Sequence, residues 1–256
     1  MNRPPDSSWE KVENWYNQQV GEKGHYYHQS VILPGVLRLL EMNPLKEGHL
    51  LDLACGQGIL ARHLPLKVNY TGIDASPALI RAAQSMDKSK HHRYLTGDAS
   101  KLLSIKEKNF SCGTLILALQ NIEEPLKVFE NFSIHLQPRA KLIVVLNHPC
   151  FRIPRQSSWG IDEAKKMQYR RIDRYFSSLK IPIQAHPSQK EKSVQTLSFH
   201  YSLSTISSWL KETGFLIESI EEWCSDKKST GKAAAMENRA RSEFPLFLTL
   251  SAIKTY

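Results

Sequence analysis

Residues 50–58 read LLDLACGQG, an apolar run that carries an acid at Asp52 and breaks into glycines at positions 56 and 58. Glycine there removes the Cβ atoms that would hold a ligand off the backbone. The run ILARHL that follows is expected to open a helix, whose first N–H groups are free to meet a polar ligand. Ala61 and Arg62 stand where a dinucleotide fingerprint needs its third glycine, so close docking of a pyrophosphate is disfavoured. Two more acids fall at the ends of later apolar runs: Asp74 closes NYTGID, and Gly97-Asp98-Ala99 follows HRYLT. A carboxylate about 20 residues beyond a glycine turn suits the two hydroxyls of a ribose. A second group of residues brings bases: His25, Tyr27 and His28 near the start of the chain, and His148 directly after AKLIVVLN. His148 is the preferred candidate base, because it ends a core strand at the edge where ligands of open α/β sheets bind. Arg152, Arg155 and Trp159, just beyond it, suit an anionic or aromatic ligand, with a solvated basic loop as the alternative.

Positioning these groups requires strands that end together. Seven β-rich runs are predicted: HLLDLA (49–54), NYTGID (69–74), HRYLTG (92–97), SCGTLILAL (111–119), AKLIVVLN (140–147), FLIESIEEW (215–223) and FPLFLTLSAIK (244–254). Ser76-Pro77 has the chemistry of a helix start, for a helix running to about Gln84. Leu126, Val128, Phe129, Phe132 and Leu136 recur at helical spacing, and STISSWLKETG gives a further helix. The long basic stretch 227–243 is read as an exposed loop plus a short helix, which is compatible with an antiparallel final strand. The expected fold is α/β: a Rossmann-like, seven-stranded, mostly parallel sheet with an antiparallel last strand and helices on both faces. Two segments stand outside it. Residues 1–45, with Trp9, Trp15, Tyr16, Tyr26 and Tyr27 and the run VILPGVLRLLE, are expected to form an N-terminal helical lid in which Pro34 marks a kink or an early turn. Residues 148–203 form a polar, basic insertion on the substrate side of the main domain, 46–256.

The ordered set D-x-x-C-G-x-G, GIDAS and TGDAS resembles motifs I, II and III of the class I S-adenosylmethionine-dependent methyltransferases. Within that superfamily it is most similar to the group containing the ubiquinone and menaquinone biosynthesis enzymes, over roughly residues 49–147. The resemblance implies S-adenosylmethionine as cofactor, with the turn Ala54, Cys55, Gly56 and Gly58 against its methionine portion. It further implies Asp74 at the ribose, Asp98 and the Ala99 backbone at the adenine edge, and Leu119 and Gln120 near the sulfonium. Asp52 and Ala75 belong to the same implied set. HYYHQSVILP (25–34) resembles a lid that closes over the cofactor and brings Tyr27 or His28 to its carboxylate. Transfer of a methyl group from a sulfonium is in-line, so no nucleophilic triad is expected, and a base is needed only for a protonated acceptor.

Composition narrows the partners. A formal net charge of +9 permits attraction to anions, nucleic acid included. The basic residues are interrupted by Asp162, Glu163, Asp173, Glu191, Asp226 and Glu237, so no continuous phosphate-tracking groove is expected. The expected acceptor is therefore a small molecule; RNA methylation, favoured by Arg170, Arg171 and Arg174, and a non-catalytic cofactor-binding protein are the alternatives. Cys55, Cys112, Cys150 and Cys224 lie far apart without a C-x-x-C pair, which argues against zinc and against a disulfide framework. No apolar run approaches a membrane span, so no membrane insertion is expected. The start MNRPPDSSWE lacks a signal-peptide core, and the expected location is cytoplasmic.

Overall fold

The computed structural model describes residues 24–40, 48–184 and 195–256. Trp9, Trp15 and Tyr16 lie outside the described residues. A π-helical turn, His28–Ile32, continues into α1, Leu33–Leu39, with Pro34 in its first turn. Proline has no N–H to give there, and the widened turn just before it absorbs the mismatch. Strand β1 (His49–Leu53), β2 (Asn69–Asp74), α2 (Pro77–Met86), β3 (His92–Thr96) and β4 (Phe110–Ile116) follow. Then come α3 (Pro125–His135) and β5 (Leu136–Asn147), four insertion strands, α4 (Leu203–Glu212), β10 (Phe215–Trp223), α5 (Ala234–Glu243) and β11 (Phe247–Lys254). The insertion strands are β6 (Ser157–Asp162), β7 (Met167–Ile172), β8 (Leu179–Gln184) and β9 (Gln195–His200), paired as two antiparallel hairpins.

The seven-stranded sheet has the order β10-β11-β5-β4-β1-β2-β3. β3, β2, β1, β4 and β5 run parallel, and β11 inserts antiparallel between β5 and β10. All seven strands were predicted within a few residues of their ends. Alternation along β5 shows why this strand is central: Leu142, Val144 and Leu146 join one apolar core, while Ile143 and Val145 join the other. Successive side chains point to opposite faces, so a strand buried on both sides must be apolar throughout. α3 and α4 cover the first face through Phe129, Phe132 and Leu210, and α1, α2 and the turn after β1 cover the second through Val36, Ile80 and Leu60. Ser76 and Ser202 cap α2 and α4, their hydroxyls accepting from the N–H groups of Leu79 and Thr205.

One expected helix is nearly absent. After the glycine turn the chain makes only a short 3-10 turn, Ala61–His63, because Leu64 is extended and precedes Pro65. A residue before proline is driven out of helical conformation. Among the described residues no helix is long and apolar enough to cross a membrane.

Candidate active site

β1, β2, β3 and β4 end on one edge of the sheet, and their last residues line a cavity of about 510 Å³. At the end of β1 the chain reverses through left-handed backbone at Ala54 (φ 55°), Gly56 (φ 57°) and Gly58 (φ 72°). Leu117 (φ 53°), just past β4, is bent the same way. Ala54, Gly56 and Leu117 all line the cavity. Left-handed backbone is costly for alanine and leucine, and its occurrence at both strand ends marks where the fold is held in an unfavourable geometry beside a site.

Asp74 joins the two motifs. Its Oδ2 accepts from the Gly56 N–H at 2.8 Å and its Oδ1 from the Ser76 N–H at 2.9 Å. Burial pushes this carboxyl up, and the two N–H groups oppose it. Each oxygen keeps a lone pair for a further donor. Asp98 is held similarly, with Oδ1 accepting from the Ser100 N–H and hydroxyl at 2.8 and 2.7 Å. Between the two acids the lining is small and apolar, from Ala75, Leu79 and Ala99. Asn131, on α3, secures this loop from behind by donating to the Ala99 and Lys101 carbonyls at 2.8 and 2.7 Å. The arrangement suits a nucleoside: apolar lining beside two carboxylates that can accept from ribose hydroxyls and from an exocyclic amine.

The remaining walls come from the segment after β4, the end of β5, the insertion and the N-terminal segment. Gln120 and Asn121 follow β4 and both donate to the Leu117 carbonyl, at 2.7 and 3.3 Å. Asn147 comes from the end of β5, and Pro154, Ile183 and Ser198 from the insertion. His28 closes the cavity from the N-terminal side. Two buried atoms in this lining, Gln120 Oε1 and His28 Nδ1, have no hydrogen-bond partner among the described residues. Burial, helped by the nearby His25, lowers the His28 imidazole to about 4, so the ring is neutral at physiological pH. Asp74, Asp98, Glu123 and Glu124 give the cavity an acidic lining against one cation, Lys101, although the whole chain carries +9. A cationic ligand is favoured there despite the net charge.

Of the residues predicted for the site, Ala54, Gly56, Asp74, Ala75, Asp98, Ala99, Gln120 and His28 line this cavity. Asp52, Cys55, Gly58, Leu119, Tyr27 and His148 do not. Leu119 is buried in the apolar core, and Cys55 tucks its thiol behind the turn toward Gly72. Tyr27 hydrogen-bonds Ser225 at 2.9 Å and packs edge-on against Phe247, away from the lining. Trp159 stacks on Phe244 instead of facing the cavity.

Asp52 lies beneath the turn, where its carboxyl accepts from the hydroxyls of Tyr70 and Thr114 at 2.7 and 2.8 Å. Burial raises it from 3.8 to about 7, against those two hydrogen bonds and with a small push from Asp74. The fold therefore prefers the neutral acid. That contribution is complete below about pH 4 and is lost as the pH rises through about 7. The unfolding free energy of wild type, measured against that of Asp52→Asn, is expected to fall progressively across this window. A pH-independent difference would show that Asp52 ionises normally.

His148 is directed the other way from its neighbour Asn147. The Cys150 N–H donates to Nδ1 at 3.2 Å, which leaves Nε2 as the donor to Glu222 at 2.6 Å. Both ring nitrogens are engaged and the ring is not part of the cavity lining, so the arrangement gives His148 a structural task in place of a position at the cavity. Adjacent residues at a strand end face opposite sides, and the side turned to the cavity belongs to Asn147. His148→Ala is expected to cost about 1–2 kcal/mol of stability in a denaturant titration and to leave the affinity for S-adenosylhomocysteine at its wild-type value. Normal stability with abolished turnover would return His148 to the chemistry.

Residues 51–144 match the family model described as a methyltransferase domain. A crystal structure of an S-adenosylmethionine-dependent methyltransferase from Mesorhizobium loti is 25% identical, with a TM-score of 0.64, over 86% of this chain and 99% of that one. One from Clostridium acetobutylicum is 20% identical, with a TM-score of 0.62, over 97% and 99%. The glycopeptide N-methyltransferase MtfA, solved with sinefungin, is 14% identical with a TM-score of 0.56, over 86% of this chain and 92% of that one. No curated protein matches the chain. Residues 51–144 thus form a methyltransferase domain, within a fold shared with S-adenosylmethionine-dependent methyltransferases.

Proposed function

We propose that this methyltransferase acts on a small molecule by direct in-line transfer, with residues 1–45 as a lid and 148–203 as the acceptor-side wall of the domain 46–256. The observation that carries this reading is the cavity's construction. One wall is the set of strand ends suited to a nucleoside, and the facing wall is the insertion, through Pro154, Ile183 and Ser198. A volume of about 510 Å³ is in the range of small-molecule sites.

When bound, S-adenosylmethionine supplies an electrophilic methyl group on a sulfonium. In this reading Asp74 accepts from the ribose hydroxyls, while Asp98 and the Ala99 N–H meet the adenine edge. Gly56 lets the methionine portion lie on the backbone, and Gln120 approaches the sulfonium. The acidic lining stabilises the positive charge before transfer. Asn121, Asn147 and Ser198 orient the acceptor, so that proximity supplies much of the acceleration. His28 is neutral and its Nδ1 has no partner among the described residues, which leaves it able to accept a hydrogen bond or proton from an acceptor.

Lys180 and Lys127 at the rim of the cavity are taken up by Glu123 and Glu124, so neither offers an uncompensated charge to a polyanionic acceptor. In the insertion, Arg171 and Lys165 are likewise paired, with Asp173 and Asp162. RNA engaging six or more phosphates would lose affinity by about a thousandfold between 50 and 200 mM salt. The test combines a salt series of RNA binding with transfer of labelled methyl groups to total RNA and to a metabolite extract. Label in small molecules, with weak and salt-insensitive RNA binding, supports the reading. Label in RNA overturns it, and cofactor binding without any label would favour a non-catalytic protein.

A further inference from the structure

A second recess, of about 30 Å³, adjoins the cavity, and Gln120, Asn147, Pro154 and Ser198 line both. Arg152 stands on its wall. The side chain is accessible, yet the surrounding protein desolvates the guanidinium enough to lower its pKa. Among the described residues it has no hydrogen bond and no carboxylate partner. The neighbouring cation makes matters worse: Arg170, held by the Phe151 carbonyl at 2.8 Å, the Ser157 hydroxyl at 2.7 Å and the Trp159 ring at 5.0 Å, adds a like charge. Three other basic residues of the insertion, Lys165, Arg171 and Lys180, pair with Asp162, Asp173 and Glu123. An unpaired guanidinium in a recess, repelled by a second one, is a cost that an anion would relieve. The two connected spaces are thus oppositely charged, acidic where the nucleoside fits and basic beyond Asn147.

We propose that Arg152 is a specificity residue that receives an oxyanion, a carboxylate or a phosphate monoester, of the methyl acceptor. The inference rests on the methyl-transfer reading and narrows its acceptor to a small anionic molecule. With the oxyanion on Arg152, the rest of the acceptor extends past Asn147 and Ser198 into the main cavity.

The test uses full-length protein saturated with S-adenosylhomocysteine and ligand-observed NMR titrations of matched probes. Benzoate is compared with benzyl alcohol, and phenyl phosphate with phenol. At least one anionic probe is expected to bind about tenfold or more tightly than its neutral counterpart, and the arm that responds identifies the oxyanion. Arg152→Gln is expected to remove the preference while binding S-adenosylhomocysteine like wild type, and Arg152→Lys to keep part of it. Equal binding of charged and neutral probes, no binding of either anion, or an unchanged preference in Arg152→Gln would each overturn the proposal. Failure of wild type to bind S-adenosylhomocysteine at all would remove the methyltransferase reading beneath it, which is a separate and earlier result.

Discussion

Asp74→Ala is expected to weaken binding of S-adenosylhomocysteine by about 100-fold, or close to 3 kcal/mol. Two losses combine. The ribose hydroxyls are left without their charged acceptor, and a hydrogen bond to a charged group is worth more than one between neutral groups. The Gly56 and Ser76 N–H groups also lose the oxygens that now sit 2.8 and 2.9 Å away. The first of these bonds ties the glycine turn to the end of β2, so its loss frees the surface on which the methionine portion lies. Asp74→Asn separates the two effects: an amide oxygen can still accept one of the backbone bonds, so this variant should fall between wild type and alanine. Calorimetric titration checks all three proteins, and an alanine variant with wild-type affinity would take Asp74 out of the cofactor site.

Gly58→Ala is expected to destabilise the protein by about 2–4 kcal/mol, although Gly58 does not line the cavity. With φ at +72°, an L-residue is strained before any contact is considered, and its Cβ would lie 2.7 Å from Tyr94 Oη and 2.8 Å from Cε1. The ring has little freedom to retreat. Its hydroxyl donates to Asp87, whose carboxylate also meets His92 at 2.6 Å and the Ser89 N–H at 2.9 Å. Either the turn moves outward or that buried network breaks. Denaturant melts measure the cost, and a loss below about half a kcal/mol would mean that Tyr94 swings aside freely. Because the same turn presents Gly56, cofactor affinity should fall along with stability.

The functions of these two glycines were legible as one motif, yet the structure divides them. Gly56 faces the cavity; Gly58 allows a tyrosine of β3 to pack behind it. The local pattern L-D-x-x-C-G-x-G identifies a turn without stating which residue contacts a ligand and which admits a neighbouring strand. Asp52 shows the same division. Its type and spacing marked it for the site, whereas the hydroxyls of Tyr70 and Thr114, 18 and 62 residues away, claim both of its oxygens.

The acceptor end was the least legible. Asn147, Ser198 and Ile183 come from a strand end and a hairpin in the insertion, and no local spacing joins them to the glycine turn. His148 was preferred because it follows a core strand at the ligand edge, but the pleat turns Asn147 toward the cavity and His148 toward Glu222. Arg152 was noticed as a basic residue near a strand end, along with Arg155 and Trp159. Only the arrangement of Arg170, Asn147 and Ser198 around it singles it out.

What the chain determined by itself was whatever depends on short-range pattern. Seven strands followed from apolar runs, the start of α2 from Ser76, and the cavity acids Asp74 and Asp98 from their positions at strand ends. Periodicity and capping act within a few residues, and strand ends in a parallel sheet converge on one edge whatever the details of packing. The tertiary structure decided the direction of each side chain, the protonation of Asp52 and His28, and the opposed charges of the two connected cavities. Desolvation and side-chain pairing depend on what distant segments bring alongside: β2 and β4 for Asp52, the insertion and the N-terminal segment for the cavity.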